Sequence, residues 1–229
     1  MSIRLTGISS MATRAVLAEL LADYKARTGV EVQMESVGGV DAAKRVQAGE
    51  AFDVVALASD AIDRLEAAGH LLAGSRVDLV HSGVAIAVQA GASQPDVSTE
   101  QALREAVLAA PTIGYSTGPS GVQLTRLFER WGISEALQGR TVQAPAGVPV
   151  GALVAKGEVA LGFQQLSELL HVPGITLLGP MPKPVQINTT FSAGVGVRST
   201  QPDAVRALLA WLASADATAA KQRHGMSPA

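Results

Sequence analysis

Gly114-Tyr115-Ser116-Thr117-Gly118-Pro119-Ser120-Gly121 joins a strand-like run, Pro111 to Tyr115, to a helical run, Val122 to Trp131. Three glycines, a proline and four hydroxyl side chains stand at this junction. The glycines permit a tight turn and a close approach to a ligand. A helix start presents amides without intrahelical partners and a partial positive charge. Hydroxyls beside such a terminus can complete an anion site. The other reading is a capped turn with Ser120 as N-cap. A strand that turns directly into a helix is also the building unit of a parallel sheet, and a similar junction opens the chain.

Working outward, residues 3–7 are expected to form a buried strand and Met11 to Thr28 a helix. Leu17, Leu20, Leu21 and Tyr24 share one face of that helix, and Gly29 sits where a C-terminal glycine belongs. Val30 to Glu35 alternates like a strand, Gly38-Gly39 turns, Asp41 can cap the next helix, and Gly49 ends it. Asp53 to Ala58 is the third strand, with Asp60 expected as the following cap. Short connections in a β-α-β-α-β-α rhythm imply a parallel sheet covered by helices. Ligands of such sheets gather beyond the C-terminal strand ends, here Ser9-Ser10, Gly38-Gly39 and Ser59.

After residue 75 the rhythm changes. Val77–Val80 and Gly83–Val88 flank His81-Ser82 with no room for a helix, so they read as one long bent strand. A capping box at Ser98-Thr99-Glu100-Gln101 precedes a helix over Ala102–Ala109. Beyond the Gly-rich junction come a short strand near Thr141, a helix over Gly151–Lys156 and a strand over Val159–Phe163. A second long strand is expected over Val185–Ala193, then a helix started by Pro202 and a last helix ended by Gly225. The expected fold is α/β, a two-lobe clamshell joined by two crossing strands. Lobe one takes residues 1–80 and 192–229, and lobe two takes 81–191. Bending is expected near Ser82 and Asn188–Thr190.

Composition narrows the chemistry. Apolar residues make up 48% of the 229 residues and aromatics only 3%, so the core must be aliphatic. Formal net charge is -2 with no basic block, which argues against nucleic acid as a partner. The absence of cysteine excludes disulfides, thiolate zinc sites and cysteine nucleophiles. His70, His81, His171 and His224 lack metal-ligand spacing, and no cofactor or metal is expected. The 114–121 stretch lacks a P-loop lysine, and Ser120 is outside a nucleophile-elbow frame. Leu166, Leu169 and Leu170 read as a core face. Met1 to Gly7 is too short for a leader, and no apolar run reaches a membrane span. The chain therefore reads as cytoplasmic with no membrane insertion; a mature periplasmic chain given a new initiator Met would look the same.

Gly7-Ile8-Ser9-Ser10 resembles the opening of the molybdate-binding protein family, and Arg45 to Val54 resembles that family's second helix and third strand. Gly147 to Glu158 is similar to its hinge-side helix, Gly162-Phe163-Gln164-Gln165 to the segment after it, and Arg223 to Ala229 to its C-terminus. The resemblance covers nearly the whole chain and implies the clamshell of type 2 periplasmic binding proteins, with an anion in the interlobe cleft. It implies ligand contacts at Ser9, Ser10, Gly39, Gln164 and Gln165, to which the anion-site reading of the Gly-rich junction adds Ser116, Thr117, Gly118, Ser120 and Gly121. The family's second serine would fall at Gly39 or Val40, its backbone contacts at Pro149 or Val150, and its closing tyrosine at Gln165. Pro149 has no amide to donate. The two glutamines, each donor and acceptor, suit a carboxylate-bearing organic anion better than a bare oxyanion.

The expected function is a solute-binding protein for a di- or tricarboxylate. An ABC permease enters as partner only if the chain is exported, and a molybdate or oxyanion receptor is one alternative. The superfamily that the resemblance points to also contains aconitate isomerases, the other alternative. The ligand segments hold no histidine or carboxylate for their allylic proton shift, and Lys44 and Tyr115 are the nearest candidates.

Overall fold

The computed structural model describes residues 3–229; Met1 and Ser2, the start of the segment read as too short for a leader, lie outside the described residues. In chain order the elements are β1 (Arg4–Ser10), α1 (Arg14–Thr28), β2 (Glu31–Val37), α2 (Gly39–Gln47), β3 (Val54–Ala58) and α3 (Ser59–Ala67). Then follow β4 (Val77–Gln89), α4 (Glu100–Ala109), β5 (Ile113–Tyr115), α5 (Pro119–Arg130), β6 (Thr141–Gln143) and α6 (Val150–Ala155). The rest are β7 (Leu161–Gln165), α7 (Leu166–Leu169), β8 (Ile175–Pro180), β9 (Asn188–Val195), α8 (Pro202–Leu212), α9 (Thr218–Arg223) and β10 (Met226–Pro228). Two compact units result, one of Met1–Ser82 with Thr189–Ala229 and one of Gly83–Asn188. The chain passes from the first to the second along β4.

In the first unit β1 pairs in parallel with β2 and β3, and β9 runs antiparallel to β3. The sheet is buried on both sides, which is why β3 reads as an unbroken apolar run. Val54, Ala56 and Ala58 face Leu17, Leu20, Leu21 and Tyr24 of α1 and Val205, Leu208 and Leu209 of α8. Val55 and Leu57 point the other way, onto Ala42 and Val46 of α2 and Ile62 and Leu65 of α3. Gly29 ends α1 at φ 76, a left-handed cap that a Cβ would strain. Two expected caps move. Asp41 and Asp60 lie inside the first turns of α2 and α3, whose N-caps are Gly38 and Ala58.

In the second unit β7 is flanked by β5 in parallel and β4 in antiparallel pairing, and β6 extends the sheet beyond β5. One face carries Ile86, Ile113 and Phe163 against Leu103 of α4 and Leu124 and Phe128 of α5. Phe128 meets Phe163 edge-on, with ring centroids 6.4 Å apart. The opposite face is pared down. Gly114 and Gly162 are direct partners across β5 and β7. A Cβ at Gly114 would stand 2.7 Å from Val159 and one at Gly162 2.4 Å from Val154, so the missing side chains let α6 lie against the strands. Thr99 caps α4 by accepting the Ala102 amide at 3.1 Å, and Gln101 donates forward to Glu105, so the expected capping box from Ser98 to Gln101 is replaced by a single cap one residue later. Two strands went unread, β8 and β10. The expected strand over 185–193 begins only at Asn188, after a 3-10 turn over Lys183–Val185.

Candidate functional site

The first unit brings Ser9, Ser10 and Gly39 to one strand end. Ser9 is fully buried and its Oγ lies 2.8 Å from Ser36 Oγ, its register partner on β2. That hydroxyl ties two parallel strands together. Ser10 ends β1 in an extended conformation and caps the 3-10 turn Met11–Thr13, its Oγ accepting from the Ala12 amide at 3.4 Å. A hydroxyl that accepts an amide proton keeps its own proton for an anion. Gly39 stands opposite, since a Cβ there would lie 3.5 Å from Ser10 Oγ. It opens α2, a nine-residue helix with no side-chain cap, so the positive end of that helix dipole lies beside the same hydroxyl.

The second unit assembles the remaining predicted residues around the ends of β5 and β7. The parallel register sets Tyr115 beside Phe163, so Ser116 and Gln164 continue from adjacent strand ends. Gly118, not Ser120, is the N-cap of α5, because Pro119 takes the first helical position and Ser120 follows it. Ser120 is buried, with its Oγ 3.4 Å from Ser116 Oγ, and Thr117 is exposed at the loop tip. Gly121 is required sterically, since a Cβ there would stand 1.9 Å from the Ser116 carbonyl oxygen. The loop is thereby folded onto an uncapped helix start.

Gln164 and Gln165 are both buried and point to opposite faces of β7. Gln165 shares the α5 side with Phe163. Gln164 shares the α6 side with Gly162, and its carboxamide is engaged at both ends. Its Oε1 accepts the Gly151 amide at 3.2 Å, and its Nε2 donates to Glu168 Oε1 at 2.8 Å.

Glu168 is the residue that the sequence reading missed, having found no carboxylate among the ligand segments. It lies in α7, directly after β7, in the leucine run taken as core; Leu169 is indeed fully buried. Glu168 itself keeps part of its surface exposed, while protein atoms crowd its carboxyl. Burial pushes that carboxyl up to about 7, against a smaller lowering by the Gln164 bond. The signal available in sequence was the spacing of Gln164 and Glu168, four residues apart across a strand-to-helix turn.

The earlier candidates for a base fare differently. Lys44 is exposed on α2, and Tyr115 is half-buried against the α5 side of the sheet. His224 Nε2 lies 2.9 Å from Glu19 Oε2, and His81 Nδ1 lies 3.0 Å from Thr190 Oγ1. No cluster of three metal-ligating side chains occurs among the described residues. No described helix is long and apolar enough to cross a membrane.

Residues 5–227 match the family model described as bacterial extracellular solute-binding protein. An aconitate isomerase from a Pseudomonas species is 40% identical over 230 residues, covering 98% of this chain and 87% of that protein. The periplasmic molybdate-binding protein of Azotobacter vinelandii superposes with a TM-score of 0.80 at 20% identity, over 97% of this chain and 98% of that one. A tungstate-binding protein from Desulfovibrio alaskensis gives 0.73 at 16% identity, over 99% of each chain. A sulfate-binding protein from Mycobacterium tuberculosis gives 0.80 at 15%, over 99% of this chain and 87% of that one. At these identities the structural likeness is one of fold, the type 2 periplasmic binding protein architecture expected from the sequence.

Proposed function

The chain belongs to the bacterial extracellular solute-binding protein family, and within that family we propose that it isomerises an aconitate-type tricarboxylate. The observation that carries this reading is the Glu168 carboxyl, held at about 7 by burial at the end of β7. A base for proton transfer from carbon works best with a pKa near the working pH, and perturbed carboxyls of this kind mark functional sites. The long match to an aconitate isomerase supports it independently. Glycine at position 39 and glutamine at 165, where the molybdate-binding pattern has serine and tyrosine, also favour a larger organic anion over a tetrahedral oxyanion.

In this reading Ser10 and the first amides of α2 are the anion-binding groups of the first unit, and Ser116, Ser120 and the start of α5 are those of the second. None of these groups is a cation, so hydrogen bonds and helix termini supply the anion binding. Glu168 takes a proton from the substrate methylene. The released electron pair forms the new double bond, the old one opens, and the proton returns to the formerly vinylic carbon. Nothing is oxidised or lost, so no co-reactant is needed. The test is conversion of trans- to cis-aconitate by the protein and by Glu168→Gln, with calorimetry on both. Turnover that disappears in the variant while binding persists is the expected result; equal turnover removes Glu168 from the reaction.

A receptor that only binds and delivers its solute is the second reading. It is favoured by the binding proteins for molybdate, tungstate and sulfate that share the fold. Tight, saturable binding of aconitate without conversion would establish it.

A further inference from the structure

Gln164 is a glutamine with only 2% of its surface exposed, next to a glycine-lined helix contact, and the anion contacts above leave its carboxamide without a task. Its orientation is fixed by donor and acceptor matching. The Gly151 amide can be met only by the carboxamide oxygen, so the nitrogen must face Glu168. The contact depends on how closely α6 sits. Gly114 and Gly162 let α6 approach the sheet, and a Cβ on Gly151 would stand 3.0 Å from Leu169 and 3.1 Å from Val172. Three glycines thus set the first turn of α6 against both β7 and α7, with Gln164 between them.

We propose that Gln164 is the positioning residue for Glu168: anchored on the Gly151 amide, it holds one oxygen of the Glu168 carboxylate and favours its ionised form. The inference rests on the reading of Glu168 as the proton-transfer group, and it adds the device that aims and tunes that group. A donated hydrogen bond stabilises the carboxylate over the acid, so the bond opposes the effect of burial. Few other titratable groups face Glu168. The strand and helix packed on α7 offer none over Leu161–Gln165 and Val150–Ala155, and neither does β8. Lys156 follows the end of α6, and His171, which is exposed, lies three residues beyond Glu168.

The experiment compares Gln164→Met, which keeps the length and removes both bonds, with Gln164→Glu, which keeps an acceptor for Gly151. All proteins carry His171→Gln, so that Glu168 is followed without an imidazole three residues away. Two quantities are read for each: the titration of the Glu168 carboxyl carbon by NMR without substrate, and the acid limb of kcat against pH. The expected result is an upward displacement of both by about one pH unit or more in each variant, with KM nearly unchanged. Displacement of the carbon titration alone supports the positioning role and overturns Glu168 as the proton-transfer group. A carbon titration that stays in place in a folded variant overturns the positioning role, whatever the kinetics do.

Discussion

Replacing Glu168 by Gln should remove a pH dependence of stability that can be worked out in advance. The carboxyl titrates at about 7 in the folded protein against an ordinary 4.5, so between those values the folded state holds a proton that the unfolded state releases. Stability from this group is therefore fully present below about 4.5 and is lost as the pH rises through about 7. At 1.36 kcal/mol per pH unit the whole span corresponds to about 3 kcal/mol. The residue is partly exposed, and water near the carboxylate reduces this, so about 1–3 kcal/mol is the working range. Glutamine keeps an oxygen to accept the Gln164 Nε2 hydrogen bond and carries no titrating proton. Urea unfolding at pH 4.5, 6 and 8 gives the comparison. The two proteins should differ least at the acid end, and the variant should gain over the parent by about 1–3 kcal/mol at pH 8. Parallel stability curves across that range would show that the Glu168 carboxyl is not held protonated by the fold, and would refute the argument for it as a near-neutral base.

Four further substitutions probe the anion-binding groups, a buried amine and the loop before α5. Ser10→Ala and Ser120→Ala should each weaken binding of a tricarboxylate by about 1.5–3 kcal/mol, the value of a hydrogen bond to a charged group; calorimetry showing unchanged affinity in both would remove them from the site. Lys221 is 1% exposed and its Nζ has no hydrogen-bond partner among the described residues, so Lys221→Met should stabilise the protein by about 1–3 kcal/mol at neutral pH. Burial lowers the pKa of that amine, so the penalty is full at low pH and lifts as the pH rises toward the ordinary 10.5; a gain that does not shrink at alkaline pH would contradict this. Gly121→Ala places a Cβ 1.9 Å from a backbone oxygen and should destabilise by about 1–3 kcal/mol or more, read as a lower melting temperature.

Much of the fold was legible because burial on both faces leaves a plain signature. Val54-Val55-Ala56-Leu57-Ala58 is apolar throughout, and Gly29 marks a helix end that only a left-handed residue can make. The unread elements lacked such marks. β8 carries Gly179 and Pro180 and a register shift against β4 at Ile86/Ala87, and β10 is three residues ending in proline. The caps were misplaced where a glycine or a strand end led straight into the helix and the polar residue fell one or two positions inside, as with Asp41 and Ser120. Ser10, Gly39 and the 114–121 loop could be named because strand-to-helix junctions advertise themselves. Glu168 could not. Its four-residue spacing from Gln164 was the one local mark, and the burial that raises its proton affinity is a tertiary property that a leucine-rich turn does not record.

Proton transfer at carbon by this protein is tested most directly by proton NMR of trans-aconitate incubated with it in deuterated water. The account predicts growth of the cis isomer with deuterium entering a methylene position, at a rate that collapses in Glu168→Gln. Saturable binding of trans-aconitate with no new isomer and no deuterium uptake, over hours and at pH 8, would contradict it.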